Sequence, residues 1–194
     1  SINGNLVTGI VTSGSNTTTL TGIITTLIGT PFADTLTGDA AGNIFVGGNG
    51  RDVIDGGGGV NTIDYSGETD GTFDMNGTRG ANLKLAKVGS TSKGTDTFQQ
   101  RDILSNIQNI TGTTFKDKLS GNEEANVIDG NGGNGDRLDG RAGDDTLILS
   151  GGTKSSARGG DGDDTITADG TGDRVLIDGG KGDNNIDVGS LYSR

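Results

Sequence analysis

Residues 47–64 read GGNGRDVID followed at once by GGGGVNTID, two nine-residue units set end to end. Each opens on a glycine pair (Gly47 and Gly48, Gly56 and Gly57) and repeats glycine at its fourth position (Gly50, Gly59). The sixth position holds an acid or its amide, Asp52 or Asn61, and the eighth a large apolar residue, Ile54 or Ile63. Upstream, Gly29–Thr37 (GTPFADTLT) and Gly38–Val46 (GDAAGNIFV) keep the frame in weaker form, so Leu27, Leu36, Phe45, Ile54 and Ile63 stand nine apart. Helical stripes recur every three or four residues, so this period fits no helix face. It fits one turn followed by one very short strand, repeated as a solenoid. The GGxGx stretch is the turn, and the last three residues of the unit are the strand, with the apolar one pointing inward and its neighbours outward.

The frame restarts downstream at Gly112 (GTTFKDKLS) and Gly121 (GNEEANVID). Residues 130–139 carry one extra residue and put Asp136 and Leu138 in the key places, and Gly140–Ile148 (GRAGDDTLI) is regular. Residues 149–158 (LSGGTKSSAR) form a degenerate row with no acid near Ser155 and only Ala157 at the apolar place. Gly159–Thr167 (GGDGDDTIT, with Gly159, Gly160 and Gly162) is a full match, residues 168–178 around Asp173 are two too many, and Gly179–Asp187 (GGKGDNNID, with Gly179, Gly180 and Gly182) closes the array. The apolar positions are Leu119, Ile128, Leu138, Leu147, Ala157, Ile166, Ile177 and Ile186. Residues 29–50 resemble residues 112–133, so the two arrays are copies of each other. A Gly-rich spacer has no reason to hold an apolar residue in phase over five rows and then eight. The resulting organisation is a capping segment (1–19), a first block (20–64), a connecting segment (65–102), a second block (103–187) and a tail (188–194).

Composition says what the turns are for. The 26 acidic residues are 23 Asp and only three Glu (Glu68, Glu123, Glu124), and aspartate's short carboxylate suits tight turns and oxygen-rich cation sites. Glycine lets backbone carbonyls converge with no Cβ in the way. A carboxylate beside convergent carbonyls makes an all-oxygen cage, which a hard cation such as calcium prefers. If each repeat is half a coil, alternate rows share an edge of the stack. Asp34 and Asp52 then lie on one edge, with Asn43 and Asn61 on the other; further on, Asp117 and Asp136 face Asn126, Asp145, Asp164 and Asn184. Asparagine offers only a neutral oxygen, so the Asn edge of the first array binds a cation more weakly or is held by side-chain ladders without one.

Other functions are narrowed by what is missing. Cys and His are both absent, which excludes disulfides, thiol chemistry, histidine bases and the usual zinc or copper sites. Every prominent Asp already has a structural place in the repeat, so the chain is not expected to be an enzyme. The 15 Lys and Arg are scattered along an acidic sequence of net charge -11, which speaks against nucleic acid as a partner. No apolar run is long enough for a membrane span. Neither end carries a recognisable targeting segment, so a fragment of something longer is expected. Only 28% of residues are hydrophobic, and so thin a core does not offset the entropy of ordering the chain against its own charge. Without metal the chain is expected to be largely unfolded, with cation binding and folding a single event.

These rows resemble the RTX, or haemolysin-type, calcium-binding repeats of bacterial proteins exported by type I secretion. The resemblance covers most of 20–64 and 103–187 and is most specific at GGNGRDVID, GGDGDDTIT and GGKGDNNID. It continues through Ile63-Asp64-Tyr65-Ser66, Asn82-Leu83 and residues 102–112 (DILSNIQNITG), similar to the segment that often separates such arrays. It implies an all-β, right-handed parallel β-roll with several calcium ions in its turns, interrupted by a hairpin-like insert. It also implies secretion as an unfolded chain and folding outside the cell in extracellular calcium. By position, the liganding acid falls on Asp34, Asp52, Asp117, Asp136, Asp145 and Asp164, with Asn43, Asn61, Asn126 and Asn184 departing from the pattern.

Two functions fit. One is a calcium-binding structural module, its folding coupled to extracellular calcium, within a larger secreted or surface protein of adhesin, toxin or surface-layer type. The alternative is the accessory β-roll module of a secreted polysaccharide-modifying or hydrolytic enzyme. In that case Lys84, Lys87, Lys93, Arg137, Arg141 or Arg158 would touch an acidic glycan, though scattered surface charge is the simpler reading. Self-association is left open. Residues 70–90 are expected to form a hairpin with Asn76-Gly77 at its turn, on the alternation of Phe73, Met75, Leu83, Leu85 and Val88. Residues 103–110 read as a strand re-entering the roll in preference to a helical turn. Leu6, Ile10 and Val11 mark the N-terminal cap that a solenoid end needs.

Overall fold

A computed structural model describes residues 1–68, 79–87, 89–96, 100–169, 172 and 174–189. Among them there are only strands and turns, stacked as a parallel solenoid with two walls. In the first block the strands alternate between walls: β4 (Thr26–Ile28), β6 (Ile44–Val46) and β8 (Thr62–Asp64) build one, β5 (Thr35–Thr37) and β7 (Val53–Asp55) the other. Rows two apart pair in parallel and in register, Leu36 opposite Ile54 and Phe45 opposite Ile63. The nonapeptide is therefore half a coil. Each strand is three residues long because glycines bound it, and its middle residue alone faces inward.

The second block repeats the scheme with longer strands. On one wall lie β13 (Lys116–Ser120), β15 (Arg137–Ala142), β17 (Ser156–Asp161) and β19 (Leu176–Lys181). On the other lie β14 (Val127–Asp129), β16 (Thr146–Ser150), β18 (Thr165–Asp169) and β20 (Asn185–Asp187). The repeat's apolar residues form the core from Leu27 to Ile166, joined by Leu149 and Ala168 from the lengthened strands. Burial fades at the C-terminal end, where Ile177 is only partly covered and Ile186 is 44% exposed.

Residues 103–110 do not form a helical turn. They belong to two strands, β11 (Arg101–Ser105) and β12 (Asn109–Thr111), which pair in parallel with β7 and β8 on opposite walls. Asn106, with φ 55°, turns the chain between them. The insert adds β9 (Arg79–Lys84), parallel to β13, and β10 (Thr91–Thr95), antiparallel to β9 and β11. Among the described residues the two arrays are thus one hydrogen-bonded stack with a single antiparallel strand at the seam. The hairpin expected around Asn76-Gly77 lies mostly outside the described residues, as does Asp173. Between the described strands β9 and β10 the Ser90 N–H donates to the Lys87 carbonyl.

At the N-terminal end, β1 (Asn3–Asn5) lies parallel to β5, while β2 (Ile10–Ser13) and β3 (Asn16–Thr19) add antiparallel strands. A Cβ at Gly4 would sit 3.2 Å from Leu27, so glycine lets β1 close over the first rung. The walls hold twelve and eight strands.

The sequence reading of the cations as scattered needs correcting. Ten of the 15 Lys and Arg (Arg79, Lys84, Lys93, Arg101, Lys116, Lys118, Arg137, Arg141, Arg158, Lys181) lie in strands of the twelve-stranded wall, and none lies in a strand of the other. Rows of opposite parity face opposite ways, so residues interspersed in sequence are segregated in space.

Candidate metal-binding turns

The sixth position of each repeat sits where a turn enters a strand. Its side chain is buried, from Asp34 at 3% exposure to Asp52 and Asn61 at 0%, except in the last repeat, where Asn184 is half-buried. Within each array, the side-chain oxygen of one row accepts the backbone N–H of the sixth residue one coil earlier. On one edge Asp34 N–H donates to Asp52 Oδ1 (2.8 Å), Asp52 to Asp102 Oδ1 (2.9 Å), Asp117 to Asp136 Oδ1 (2.9 Å) and Asp136 to Ser155 Oγ (3.1 Å). On the other, Asn43 donates to Asn61 Oδ1 (2.9 Å), Asn61 to Gln108 Oε1 (2.8 Å), Asn126 to Asp145 Oδ1 (2.8 Å), Asp145 to Asp164 Oδ1 (2.9 Å) and Asp164 to Asn184 Oδ1 (2.9 Å). The structure therefore places every sequence-derived candidate acid and amide on the edge expected for it, in ladders that break between the two arrays: Asn126 Oδ1 accepts the Asn122 N–H and Asp117 Oδ1 the Ala81 N–H.

Two rungs were not legible from the repeat. Asp102 and Gln108 occupy the sixth-position role with no glycine turn before them. Their signal was the spacing, since each stands two residues before an inward apolar residue, Leu104 and Ile110. At the degenerate row Ser155 takes the acid's place with a hydroxyl, accepting N–H bonds from both Gly135 and Asp136.

What the second oxygen does divides the turns into two kinds. In the rows of Asp34 and Asp117 the residue after the first glycine is Thr, whose N–H donates to Oδ2, from Thr30 in one case and from Thr113 at 2.8 Å in the other. The Asn rows close themselves differently. Asn61 Nδ2 donates to the carbonyls of Gly58 (2.9 Å) and Asn106 (3.0 Å), and Asn126 Nδ2 to that of Gln108 (2.7 Å). An amide N–H there takes up carbonyl oxygens that an aspartate row leaves bare. By contrast, Oδ2 of Asp52, Asp145 and Asp164 is buried with no hydrogen-bond partner. In these rows the second residue is Gly48, Arg141 or Gly160, at φ 81°, 84° and 130°. In this left-handed backbone no N–H donates to the carboxylate's Oδ2, and only glycine adopts it without strain. Arg141 is a non-glycine held there.

The orphaned oxygens face built cavities. A methyl group on Gly140 would collide with both Asp145 Oδ2 and the Gly159 carbonyl oxygen, and one on Gly159 with Asp164 Oδ2 and the Gly179 carbonyl. Each cradle thus joins a carboxylate of one row to a carbonyl of the next coil. In the first array the Gly47 Cβ position lies 2.5 Å from Asp52 Oδ2, with Ile54 in place of a facing carbonyl as its next neighbour. Among the described residues no three acidic or imidazole or thiol side chains gather as a metal cluster. A cation held here therefore needs backbone carbonyls beside one or two carboxylates, a donor set of oxygen alone that suits calcium. Gly50, Gly56, Gly57, Gly59, Gly162, Gly180 and Gly182 shape the same turns, and six of these seven, all but Gly56, sit at positive φ.

Electrostatics agree. Burial pushes the carboxyls of Asp52, Asp117 and Asp145 up to about 7, Asp136 to about 6 and Asp102 to about 8, and raises Asp164. Hydrogen bonds from backbone N–H groups oppose the rise in each case without cancelling it. The charges of Asp34 and Glu68 lift Asp52 further, that of Asp52 lifts Asp102, and the buried Tyr65 hydroxyl is raised first by burial and then by Asp102, Glu68, Asp96 and Asp52. A divalent cation beside these groups supplies the missing charge.

Stacked half-coils whose turns present inward carboxylates and carbonyls define a parallel β-roll of the calcium-binding kind. The sequence matches the RTX calcium-binding nonapeptide repeat in four copies, at residues 28–63, 37–70, 111–147 and 135–153, so the two segments they cover are RTX-type repeats. The rows from Gly159 to Asp187 extend the same ladders beyond the matched segments. A search of curated proteins gave no match.

Proposed function

We propose that the chain is a calcium-dependent structural module of a larger secreted or cell-surface protein, non-catalytic itself, whose folding is coupled to extracellular calcium. The observation that carries this reading is the set of buried, partnerless Oδ2 atoms on Asp52, Asp145 and Asp164. Stranding a buried carboxylate oxygen is costly, and three in one thin core weigh against a metal-free fold at neutral pH. Within the module the aspartates do two tasks. Oδ1 registers one coil on the next, and Oδ2 with the facing carbonyls holds the ion. The RTX-type repeats support export by type I secretion and action outside the cell. Of the described residues, no helix is long and apolar enough to cross a membrane.

Two measurements on the full chain test this. Calcium added to chelated protein at neutral pH should convert a coil-like far-ultraviolet circular dichroism spectrum into a strand-rich one, with heat of binding in the same concentration range. A strand-rich spectrum in chelator at neutral pH overturns the coupling. The second reading, an accessory module of a polysaccharide-modifying or hydrolytic enzyme, is favoured by the cations gathered on one wall.

A further inference from the structure

We infer that the outer face of the twelve-stranded wall is a binding groove for a linear, carboxylated polysaccharide. A groove of about 490 Å³ crosses β9, β13, β15, β17 and β19. Its walls follow from strand register. Lys118 and Arg137 stand on neighbouring rungs along one side, and Lys84 and Arg158 along the other. Leu119, Leu138 and Ala157 contribute from below, their side chains turned into the core, so the floor is backbone. All four cations are exposed. Arg158 has Asp178 at 3.8 Å, while Lys84, Lys118 and Arg137 have no acidic partner among the described residues. Lys116 and Arg79 extend the basic surface past Lys118 into an adjoining depression.

Charge complementarity makes the occupant an anion, and the shape makes it a chain. Five rungs about 4.8 Å apart span roughly 19 Å in a straight line, and a sugar unit of an extended polysaccharide is close to one rung in length. Successive carboxylates can therefore meet successive rungs. The groove also holds Ser120, Ser156 and Asp139, which hydrogen-bond hydroxyls, and Leu176, 69% exposed, which offers apolar surface to a ring face. A nucleic acid fits less well. Asp139 and Asp178 interrupt the cations, no aromatic side chain lines the groove for base stacking, and a duplex carries about one charge per 1.7 Å against a protein of net charge -11. This inference rests on the fold in its calcium-loaded state but not on which turns hold the ions.

The test uses the full chain in saturating calcium, where circular dichroism reports the fold independently of any ligand. Hexagalacturonate is titrated calorimetrically, with maltohexaose as neutral control and a short DNA duplex as the alternative polyanion. The expected result is binding of the uronide alone, weakened by added salt. The double variant Lys118→Ser, Arg137→Ser should keep the strand spectrum and bind roughly tenfold more weakly or worse, while Arg51→Ser, on the turn before β7 and outside the groove strands, binds as the parent does. Amide shifts on adding the uronide should concentrate on β13, β15 and β17, a readout that needs no variant. No binding by the folded parent, equal binding by the double variant, tighter binding of DNA, or a dimer in sedimentation that the double variant dissociates would each overturn the assignment.

Discussion

The backbone N–H of Asp52 donates to Oδ1 of Asp102 at 2.9 Å, although fifty residues separate them in sequence. Asp52 closes a full nonapeptide of the first array, and Asp102 belongs to the connecting segment. Their bond extends the aspartate ladder from the first array onto β11, the last parallel strand before β10 interrupts the stack. Asp102→Ala should leave the buried Asp52 N–H without an acceptor, a loss of roughly 1–3 kcal/mol. Asp102→Asn keeps Oδ1 and should lose much less. Thermal unfolding of both variants in saturating calcium checks the difference.

The two kinds of turn should separate by ion count. Asp164→Asn and Asp145→Asn each remove an anionic Oδ2 and should lower the calcium bound at saturation by at least one ion. Asn61→Ala should leave the count unchanged yet destabilise the roll, because the carbonyls of Gly58 and Asn106 lose the amide that satisfies them. Calorimetric stoichiometry beside melting temperature distinguishes these outcomes.

The cradles themselves can be filled. Gly159→Ala places a methyl group against Asp164 Oδ2 and the Gly179 carbonyl, and should remove calcium binding at that turn as well as stability. Gly67→Ala, with nothing within 4 Å of its Cβ position and no positive φ, should be nearly neutral. The pair is compared by calcium titration followed by circular dichroism.

Acid should partly replace calcium. Folded, metal-free protein holds the carboxyls of Asp52, Asp117 and Asp145 near 7, Asp136 near 6 and Asp102 near 8, against about 3.9 for aspartate in an unfolded chain. The folded form therefore binds more protons between these limits. The stability this gives is fully present below about pH 4 and is lost as pH rises through about 6–8. In chelator, strand content should grow as pH falls from 8 towards 5. In calcium the sign reverses, since protons compete for the same oxygens, and the half-saturating calcium concentration should rise as pH falls below about 7. Circular dichroism along both pH series is the check, and strand content in chelator that falls with acidification would contradict it.

The nine-residue phase by itself determined the half-coil, the inward row from Leu27 to Ile166 and the two edges on which Asp34 to Asn184 are shared. This was legible because each repeat is local: glycine permits the turn, and the phase of one apolar residue settles which way a short strand faces. Asp102 and Gln108 were hidden because a ladder partner is defined by the neighbouring coil, and their own segment lacks the glycines that announce a turn. The same holds for the chemistry of each carboxylate. Whether Oδ2 is answered by Thr30 or Thr113, or left bare as on Asp52, Asp145 and Asp164, depends on the backbone conformation of the following residue and on a carbonyl one coil away. The basic wall shows the same division, since Lys84, Lys118, Arg137 and Arg158 are far apart along an acidic chain and become neighbours only when every second row stacks on the same side.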